Sequence, residues 1–236
     1  NELTRPDTRG RKEVLAANVS CVAVVAAPEP TPDWFIVDRY LAAAENMLSK
    51  GVVVFNKTDL DDSTNRDTHL ADYAAAGYRV IECSATSGEN IEALAETLAG
   101  ETTVIVGQSG VGKSSVINRL VGAEELRTGA LSGSSGEGRH TTVNSVMIEL
   151  PGGGAVIDSP GVRDYAPAIM DVDDVQRGFP EIDRAGQDCR FANCRHLREP
   201  NCAVKGAVED GSISERRYES YRRLIRLADE LSQKAR

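Results

Sequence analysis

The sequence TTVIVGQSGVGKSSVINRLV, residues 102–121, contains the element that decides the fold. Its first residues form a short apolar, β-branched run that is typical of a buried strand. The glycine-rich octapeptide Gly107 to Ser114 follows directly and matches the pattern GxxxxGK[S/T]. Apolar positions at helical spacing continue to about Val121. A strand, a glycine-rich turn and a helix in this order predict a phosphate-binding loop, in which backbone N–H groups and the helix N-terminus bind phosphate oxygens.

Two side chains of this loop have specific expected roles. Lys113 reaches the β- and γ-phosphates of a nucleotide, and the hydroxyl of Ser114 binds Mg²⁺. The alternative, a glycine-rich turn that matches the pattern by accident, is disfavoured by the strand and helix that flank it. We therefore expect a nucleoside triphosphate with Mg²⁺ as the ligand.

A second motif identifies the base. The residues NKTD, from Asn56 to Asp59, follow the apolar run Val52 to Phe55. A carboxylate at Asp59 can accept two hydrogen bonds from the ring N–H and amine of guanine, and adenine has no such pair of donors. The motif stands before the phosphate loop, the reverse of its place in ordinary GTPases. The sequence therefore predicts a GTPase domain whose chain order has been circularly permuted.

The segment DSPG, beginning at Asp158, completes the nucleotide site. An aspartate at a strand end suits an outer-sphere Mg²⁺ contact, and Gly161 can offer its backbone N–H to the γ-phosphate. The alternative is a loop turn with a chance aspartate. Thr141 and Thr142 end a Gly- and Ser-rich stretch, and we expect one of them, preferably Thr142, to reach Mg²⁺ when GTP is bound.

The position after Gly161 bears on the catalytic group. Val162 follows Gly161, where many GTPases place the glutamine that orients the attacking water. Valine cannot orient water. His140 is the nearest polar substitute, and it is our candidate catalytic residue, with a solvated loop histidine as the alternative.

Strands and helices alternate along most of the chain. Asp33 is expected to cap a helix with apolar positions at Trp34, Val37, Leu41, Ala44 and Leu48, which ends at Gly51. The glycine-rich turn at 151–154 predicts an antiparallel hairpin. The other strands, at 19–26, 52–55, 78–83 and 102–106, must be parallel because helices lie between them. The predicted fold class is α/β, with a mostly parallel sheet and helices on both faces.

Composition places the chain among globular proteins. It has 236 residues, of which 41% are hydrophobic and 27% charged, and its net charge of −9 argues against a surface that broadly coats nucleic acid. It has no apolar stretch long enough to span a bilayer and no signal-peptide pattern, so we expect a cytoplasmic location without membrane contact. The last stretch, from Ile213, mixes arginines with acids and is either a solvated helix face or a surface for an anionic partner.

Three of the five cysteines cluster near the C-terminus. The spacing is Cys189-x4-Cys194-x-His196-x5-Cys202, and three thiolates with one imidazole are the closed, tetrahedral ligand set that structural zinc prefers. The alternative is a group of free buried cysteines. The segment 166–211 is poor in apolar residues, so we expect one structural Zn²⁺ to hold its shape.

The order NKTD, SAT, GQSGVGKSS, GRHTT, DSPGVRDY and then the Cys/His cluster resembles the circularly permuted, small-ribosomal-subunit-dependent GTPases of the RsgA family. The resemblance covers nearly the whole chain, from Leu3 to the region around Tyr218. It implies residues 1–18 as the remnant of an upstream RNA-binding OB-fold domain or linker, 19–165 as the permuted GTPase domain, and 166–236 as a helical, zinc-binding subdomain.

The resemblance also implies a function and a set of binding residues. The function is GTP hydrolysis late in maturation of the small ribosomal subunit, stimulated by that subunit and its ribosomal RNA, by a monomeric factor. Two alternatives are a GTP-dependent binding switch with negligible hydrolysis and a GTPase of another RNA process. The implied GTP contacts are Asn56, Lys57, Thr58, Asp59, Ser84, Ala85, Gly107, Gln108, Ser109, Gly110, Val111, Gly112, Lys113, Ser114, Ser115 and Gly161; magnesium lies on Ser114, Thr142 and Asp158, and zinc on Cys189, Cys194, His196 and Cys202.

Overall fold

The structure is a computed structural model that describes residues 2–6, 12–60, 66–122, 146–158 and 171–234. The strands are β1 Glu2–Pro6, β2 Lys12–Ala17, β3 Cys21–Ala26, β4 Lys50–Phe55, β5 Arg79–Glu82, β6 Thr102–Gly107, β7 Val146–Glu149 and β8 Ala155–Asp158. The helices are α1 Trp34–Asn46, α2 Arg66–Ala76, α3 Ile91–Leu98, α4 Lys113–Val121, α5 Val172–Arg177, α6 Pro180–Gly186, α7 Ala203–Glu209 and α8 Glu215–Lys234. Within these ranges, the structure contains no helix with the length and apolar character that crossing a bilayer requires.

Six strands form the central sheet, in the order β5-β4-β3-β6-β8-β7. All neighbouring pairs are parallel except β7 with β8, which form the antiparallel hairpin predicted from the glycine-rich turn. β1 and β2 pair separately as an antiparallel ribbon. Since parallel strands end at the same edge, the base-reading motif, the phosphate loop and Asp158 all lie at the carboxyl ends of strands, at one edge of the sheet.

Helices cover both faces of this sheet, as the sequence predicted. On one face, Val24, Val53 and Phe55 pack against α1 and α2 in one apolar cluster. On the other face, Val25 and Val54 pack against α3 and α4. The central strands are buried on both sides, which is why they read as continuous apolar runs and not as an alternating pattern.

The end of α1 differs from the prediction. The helix ends at Asn46, and Leu48 adopts a left-handed conformation (φ 54°) with its side chain 94% exposed. Gly51 does not stop the helix but lies inside β4, opposite Val22 of β3. The chain must turn before Lys50 to pair with Cys21, so sheet pairing overrides the apolar spacing that extends to Leu48.

The C-terminal helices form a third apolar cluster. Its members include Phe179, Ile182, Val204, Tyr221 and Leu224, together with two of the clustered cysteines. The apolar residues of α8 supply much of this core, and they compensate for the polar composition of the segment before it. Ala42 of α1 belongs to the same cluster, so α1 packs between the central sheet and the C-terminal helices.

Candidate functional site

Asn56 connects three loops at the sheet edge. Its side chain is 1% exposed; Nδ2 donates to the carbonyl of Val111 at 3.0 Å, and Oδ1 accepts from the backbone N–H of Ala85 at 3.0 Å. Val111 belongs to the phosphate loop, and Ala85 follows β5. The amide therefore holds the base-reading motif, the SAT segment and the phosphate loop in one arrangement, and a buried amide that satisfies two backbone groups is costly to replace.

Lys57 and Asp59 each contact a neighbouring loop at the sheet edge. Lys57 contacts the phosphate loop: its Nζ donates to the carbonyl of Gly110 in that loop at 2.9 Å. The same Nζ donates to the carbonyl of Glu29 at 2.7 Å. The carboxylate of Asp59 is exposed and accepts from the hydroxyl of Ser84 at 2.5 Å. This bond restrains the carboxylate while leaving its remaining lone pairs able to accept further hydrogen bonds.

Two glycines of the phosphate loop are required by close approaches. A Cβ at Gly107 (φ 134°) would stand 2.1 Å from the carbonyl oxygen of Val25. A Cβ at Gly112 (φ 92°) would stand 2.3 Å from Nδ2 of Asn56. Both positions have backbone conformations that other residues rarely adopt. Glycine is therefore required at these two positions because the loop packs closely against strand β3 and against the base-reading motif.

The phosphate loop ends in side chains suited to a nucleotide with a divalent ion. Lys113 is buried, and its Nζ donates to the carbonyls of Gly107 at 2.8 Å and Gln108 at 2.7 Å, which fixes the ammonium beneath the loop. Ser114 and Ser115 are exposed in the first turn of α4. Asp158 ends β8, which pairs directly with β6. A hydroxyl and a carboxylate at one edge are the hard oxygen ligands that Mg²⁺ takes, so the residues present fit that ion.

Three of the predicted site residues, His140, Thr142 and Gly161, lie outside the described residues, as do Thr141 and Val162.

The loop from β3 to α1 is a part of the site that the sequence did not indicate. It provides the carbonyl of Glu29 for Lys57 and places Pro30 beside Gly110. The backbone N–H of Asp33 donates to the side-chain oxygen of Gln108 at 3.2 Å. Asp33 also caps α1 as predicted, by accepting from the N–H groups of Phe35 and Ile36. Backbone contributions of this kind have no side-chain signature, so no motif could have identified Glu29.

The four predicted metal ligands come together. The ligand atoms of Cys189, Cys194, His196 and Cys202 all lie within 4.8 Å of one another. Three of their separations are 3.8 Å between the sulfurs of Cys189 and Cys202, 3.5 Å from Cys189 to Nδ1 of His196, and 3.4 Å from Cys202 to the same nitrogen. Tetrahedral zinc with its usual bond lengths requires about 3.8 Å between sulfurs and about 3.6 Å between sulfur and nitrogen. The donor set and its spacing therefore fit zinc.

Neighbouring contacts hold the loop that carries these ligands. Glu199 accepts from the backbone N–H groups of Arg195, Leu197 and Arg198 at 2.9–3.0 Å. Although burial acts to raise it, the pKa of Glu199 is lowered to about 2 by these bonds and by its own N–H. The guanidinium of Arg195 in turn donates to both oxygens of Asp229 on α8. The loop is thus fixed independently by backbone bonds and by an ion pair to the last helix.

A mostly parallel sheet that carries the base-reading motif before the phosphate loop, followed by helices with a Cys₃His cluster, defines a circularly permuted GTPase fold with a C-terminal metal-site region. Comparison with known families agrees with this class. The family model described as RsgA GTPase matches residues 1–167, and the chain belongs to the RsgA GTPase family.

Curated relatives and solved structures support this assignment. Proteins named small ribosomal subunit biogenesis GTPase RsgA are similar to the chain: that of Pseudomonas fluorescens (strain SBW25) is 44% identical over 95% of this chain and 66% of its own length, and that of Saccharophagus degradans is 41% identical over 98% and 69%. The crystal structure of YjeQ from Thermotoga maritima superimposes with a TM-score of 0.74 at 30% identity, covering 95% of this chain and 81% of that one. The structure of YloQ, titled a circularly permuted GTPase, has a TM-score of 0.74 at 28% identity, with 98% and 72% covered. The chain spans about two thirds of the length of the first of these curated relatives.

Proposed function

We propose that the chain binds GTP with Mg²⁺, hydrolyses it to GDP and phosphate, and acts as a late maturation factor of the small ribosomal subunit, which stimulates hydrolysis. The observation that carries this proposal is the pair of hydrogen bonds that the Asn56 side chain makes, donating to the carbonyl of Val111 and accepting from the N–H of Ala85, which brings the guanine-reading and phosphate-binding loops together. The ribosomal role is supported by the similarity of the chain to proteins named small ribosomal subunit biogenesis GTPase RsgA. A factor of this kind works in the cytoplasm, and we expect it to act as a monomer.

The geometry suggests how the nucleotide is held. The carboxylate of Asp59, restrained by Ser84, reads guanine, while Lys57 supports the loop beneath it. Backbone N–H groups of the phosphate loop bind the phosphate oxygens, and the dipole of α4 favours their negative charge. Lys113 exchanges its carbonyl partners for the β- and γ-phosphates.

Magnesium would be held by Ser114 and Asp158, with Thr142 joining them in the GTP state. The ion would neutralise negative charge on the phosphates. Hydrolysis then requires a group that orients water. Val162 cannot do this, so we propose His140 or a group on the ribosomal subunit. The isolated chain should therefore turn over GTP slowly.

The test is steady-state GTP turnover by the chain with and without purified small subunits, at saturating GTP. Stimulation by small subunits, and none by large subunits, supports the proposal. Tight GTP binding without stimulated turnover supports the second candidate, a GTP-dependent switch with negligible hydrolysis, which the valine at position 162 favours. Failure to bind guanine nucleotides at all contradicts both.

We also propose one structural zinc ion on Cys189, Cys194, His196 and Cys202. The ion would cross-link the loop and have no catalytic role, since four protein ligands complete a tetrahedral shell and leave no place for reactive water. Elemental analysis of the purified chain for about one zinc per molecule tests this proposal.

A further inference from the structure

The residues that follow β5 form a compact turn beside the base-reading motif. Within residues 84–89, the SAT turn, the N–H of Gly88 donates to the carbonyl of Ser84 at 2.8 Å, and the N–H of Ser84 donates to the carbonyl of Glu89 at 3.1 Å. The hydroxyl of Ser84 accepts a further bond from the N–H of Ser87 at 3.0 Å. These bonds close the turn on itself, so they fix its shape but not its position in the protein.

The base-reading motif holds the two ends of the SAT turn. It does so through hydrogen bonds, named here with the donor first, from Ala85 to Asn56, from Ser84 to Asp59 and from Thr58 to Glu89. The tip of the turn, Thr86 and Ser87, is exposed and takes part in none of these three bonds. The position of the tip therefore depends on a different element.

Arg119 of α4 contacts the tip. Its Nη2 donates to the carbonyl of Thr86 at 3.2 Å. Its guanidinium also lies against Gly88, because a Cβ at Gly88 would stand 3.1 Å from Nη2, 3.6 Å from Cζ and 3.7 Å from Nε of Arg119. Gly88 has a φ of 90°, a conformation that other residues rarely adopt. One planar group thus bonds one residue of the turn and packs against another.

Helix α4 connects this contact to the phosphate loop. The helix begins at Lys113, which belongs to that loop, and Arg119 follows about 9 Å further along the helix axis. The same helix packs against α3, which begins just after the SAT turn, and the two share one apolar cluster that includes Ile91, Leu94, Ile117 and Leu120. Arg119 therefore joins the SAT turn to a fixed helix whose N-terminus lies at the phosphate side of the site.

We propose that Arg119 is a positioning residue for base recognition, whose bond to Thr86 sets the position of the SAT turn relative to the phosphate loop. The proposal rests on the proposed function, in which the ligand is a guanine nucleotide. The nucleotide itself fixes the distance between its base and its phosphates, so the two sides of the site must be held at a matching separation. Arg119 acts on the base side through Ala85, which lies next to Thr86 and is one of the proposed base contacts.

A purely structural role for Arg119 predicts a different result. Arg119 stands in the last turn of α4, where a positive charge interacts favourably with the helix dipole. That interaction stabilises the helix whatever ligand is bound, so its loss would affect ligands with and without a base alike. The positioning role predicts an effect on ligands that carry a base and none on ligands that consist of phosphates alone.

The test measures two dissociation constants on the 236-residue chain with Mg²⁺, by displacement of a fluorescent GDP analogue whose own affinity is determined for each variant. One competitor is a non-hydrolysable GTP analogue. The other is inorganic triphosphate, which has the phosphates without sugar or base. Because one exposed hydrogen bond is lost, Arg119→Ala should weaken the GTP analogue by about 3- to 10-fold. The dissociation constant of triphosphate should stay that of the wild type.

Two matched variants complete the comparison. Arg119→Lys keeps the positive charge and a donor, and its affinity for the GTP analogue should lie between those of the wild type and Arg119→Ala. Asn118→Ala removes the neighbouring exposed side chain of α4 and should change neither constant. Equal weakening of both ligands by Arg119→Ala, unchanged binding of the GTP analogue, or failure of triphosphate to bind the wild type would each overturn the proposal.

The same measurements separate the positioning role from the proposed function. A wild type that binds triphosphate as tightly as the GTP analogue contradicts the proposed function, and the positioning role with it. A wild type that prefers the GTP analogue, with an Arg119→Ala effect equal for both ligands, contradicts the positioning role alone.

Discussion

Arg217 of α8 and Asp38 of α1 form a buried ion pair, with Nη1 2.8 Å from Oδ1 and both side chains at most 1% exposed. Arg217 also donates to both oxygens of Glu181 on α6, and its guanidinium lies 4.6 Å from the ring centroid of Phe179. Burial acts to lower the pKa of Arg217, but Asp38 and Glu181 raise it, so the side chain stays charged. One arginine therefore joins the last helix to a helix of the nucleotide-binding sheet and to the metal-site region.

Replacing Arg217 with Met should destabilise the fold strongly. The change leaves Asp38 and Glu181 with one fewer positive partner in a buried site, and loss of one member of a buried pair costs about 3–5 kcal/mol. Arg216 still contacts Asp38 through its other oxygen, which places the expectation at the lower end of that range. Urea unfolding followed by circular dichroism measures the loss.

The control for this change is Arg222→Ala on the same helix. Arg222 pairs with Glu219 at 2.9 Å, but both side chains are about half exposed, so the expected change is below about 1 kcal/mol. Equal effects of the two substitutions would show that the buried pair contributes no more than a surface pair.

The sequence predicted this fold because its decisive features are local. Buried parallel strands are apolar throughout, and motifs such as NKTD and the phosphate loop stand at strand ends, so the topology also predicts that these motifs lie at one edge of the sheet. The structure brings Asn56 and the phosphate loop into contact as that logic requires.

The missed features depend on residues distant in sequence. Arg217 appeared only as one charge in a mixed helix, because its partners stand 179 and 36 positions away and no local pattern encodes that pairing. The end of α1 was missed because pairing of β4 with β3 determines where the helix stops. Glu29 contributes a carbonyl, which every residue possesses.

Gly112→Ala should weaken binding of GTP and GDP. The new methyl group would stand 2.3 Å from Nδ2 of Asn56, at a backbone conformation that alanine rarely adopts, so the bond from Asn56 to Val111 must break or shift. Loss of a buried hydrogen bond costs about 1–3 kcal/mol, or about 5- to 100-fold in the dissociation constant. Isothermal titration calorimetry with GDP measures it.

Gly206→Ala is the matched control for that substitution. Gly206 lies inside α7, and, apart from its chain neighbours and the backbone of its own helix, no atom of the described residues is within 4 Å of its added Cβ. Alanine there should leave nucleotide affinity unchanged and stabilise the helix by about 0.5–1 kcal/mol. Weakened nucleotide binding in this variant as well would point to a general loss of folding and not to the contact with Asn56.

Asp59→Asn should change the preferred base from guanine to xanthine. The amide donates where the carboxylate accepted, and xanthine has a carbonyl in place of the amine of guanine. We expect GTP binding to weaken by about 2–5 kcal/mol, while the affinity for xanthosine triphosphate increases. Competition of both nucleotides against a fluorescent analogue measures the change.

Glu89→Gln controls for a change of charge near the base. Glu89 is exposed and accepts a hydrogen bond at 3.1 Å from the hydroxyl of Thr58, the residue that precedes Asp59. We expect its base preference to stay that of the wild type. An Asp59→Asn protein that still prefers GTP would show that Asn56 to Asp59 is not the base-reading element.

Cys202→Ala should release zinc and loosen the C-terminal region without a comparable effect on nucleotide binding. Cys202 is buried, and its sulfur lies within 3.8 Å of both Cys189 and Nδ1 of His196, so its loss opens the ligand set. Protease cleavage should increase within residues 171–214. Affinity for GDP should stay close to that of the wild type, because the contacts of Asn56, Lys57 and Lys113 are all made within the sheet edge.

Cys83→Ala is the comparison: burial raises the pKa of Cys83 to about 11, which keeps it a neutral thiol, and this variant should retain its zinc. Zinc content by elemental analysis, limited proteolysis and GDP titration on both variants check the prediction, which fails if Cys202→Ala keeps its metal or if the wild type contains none.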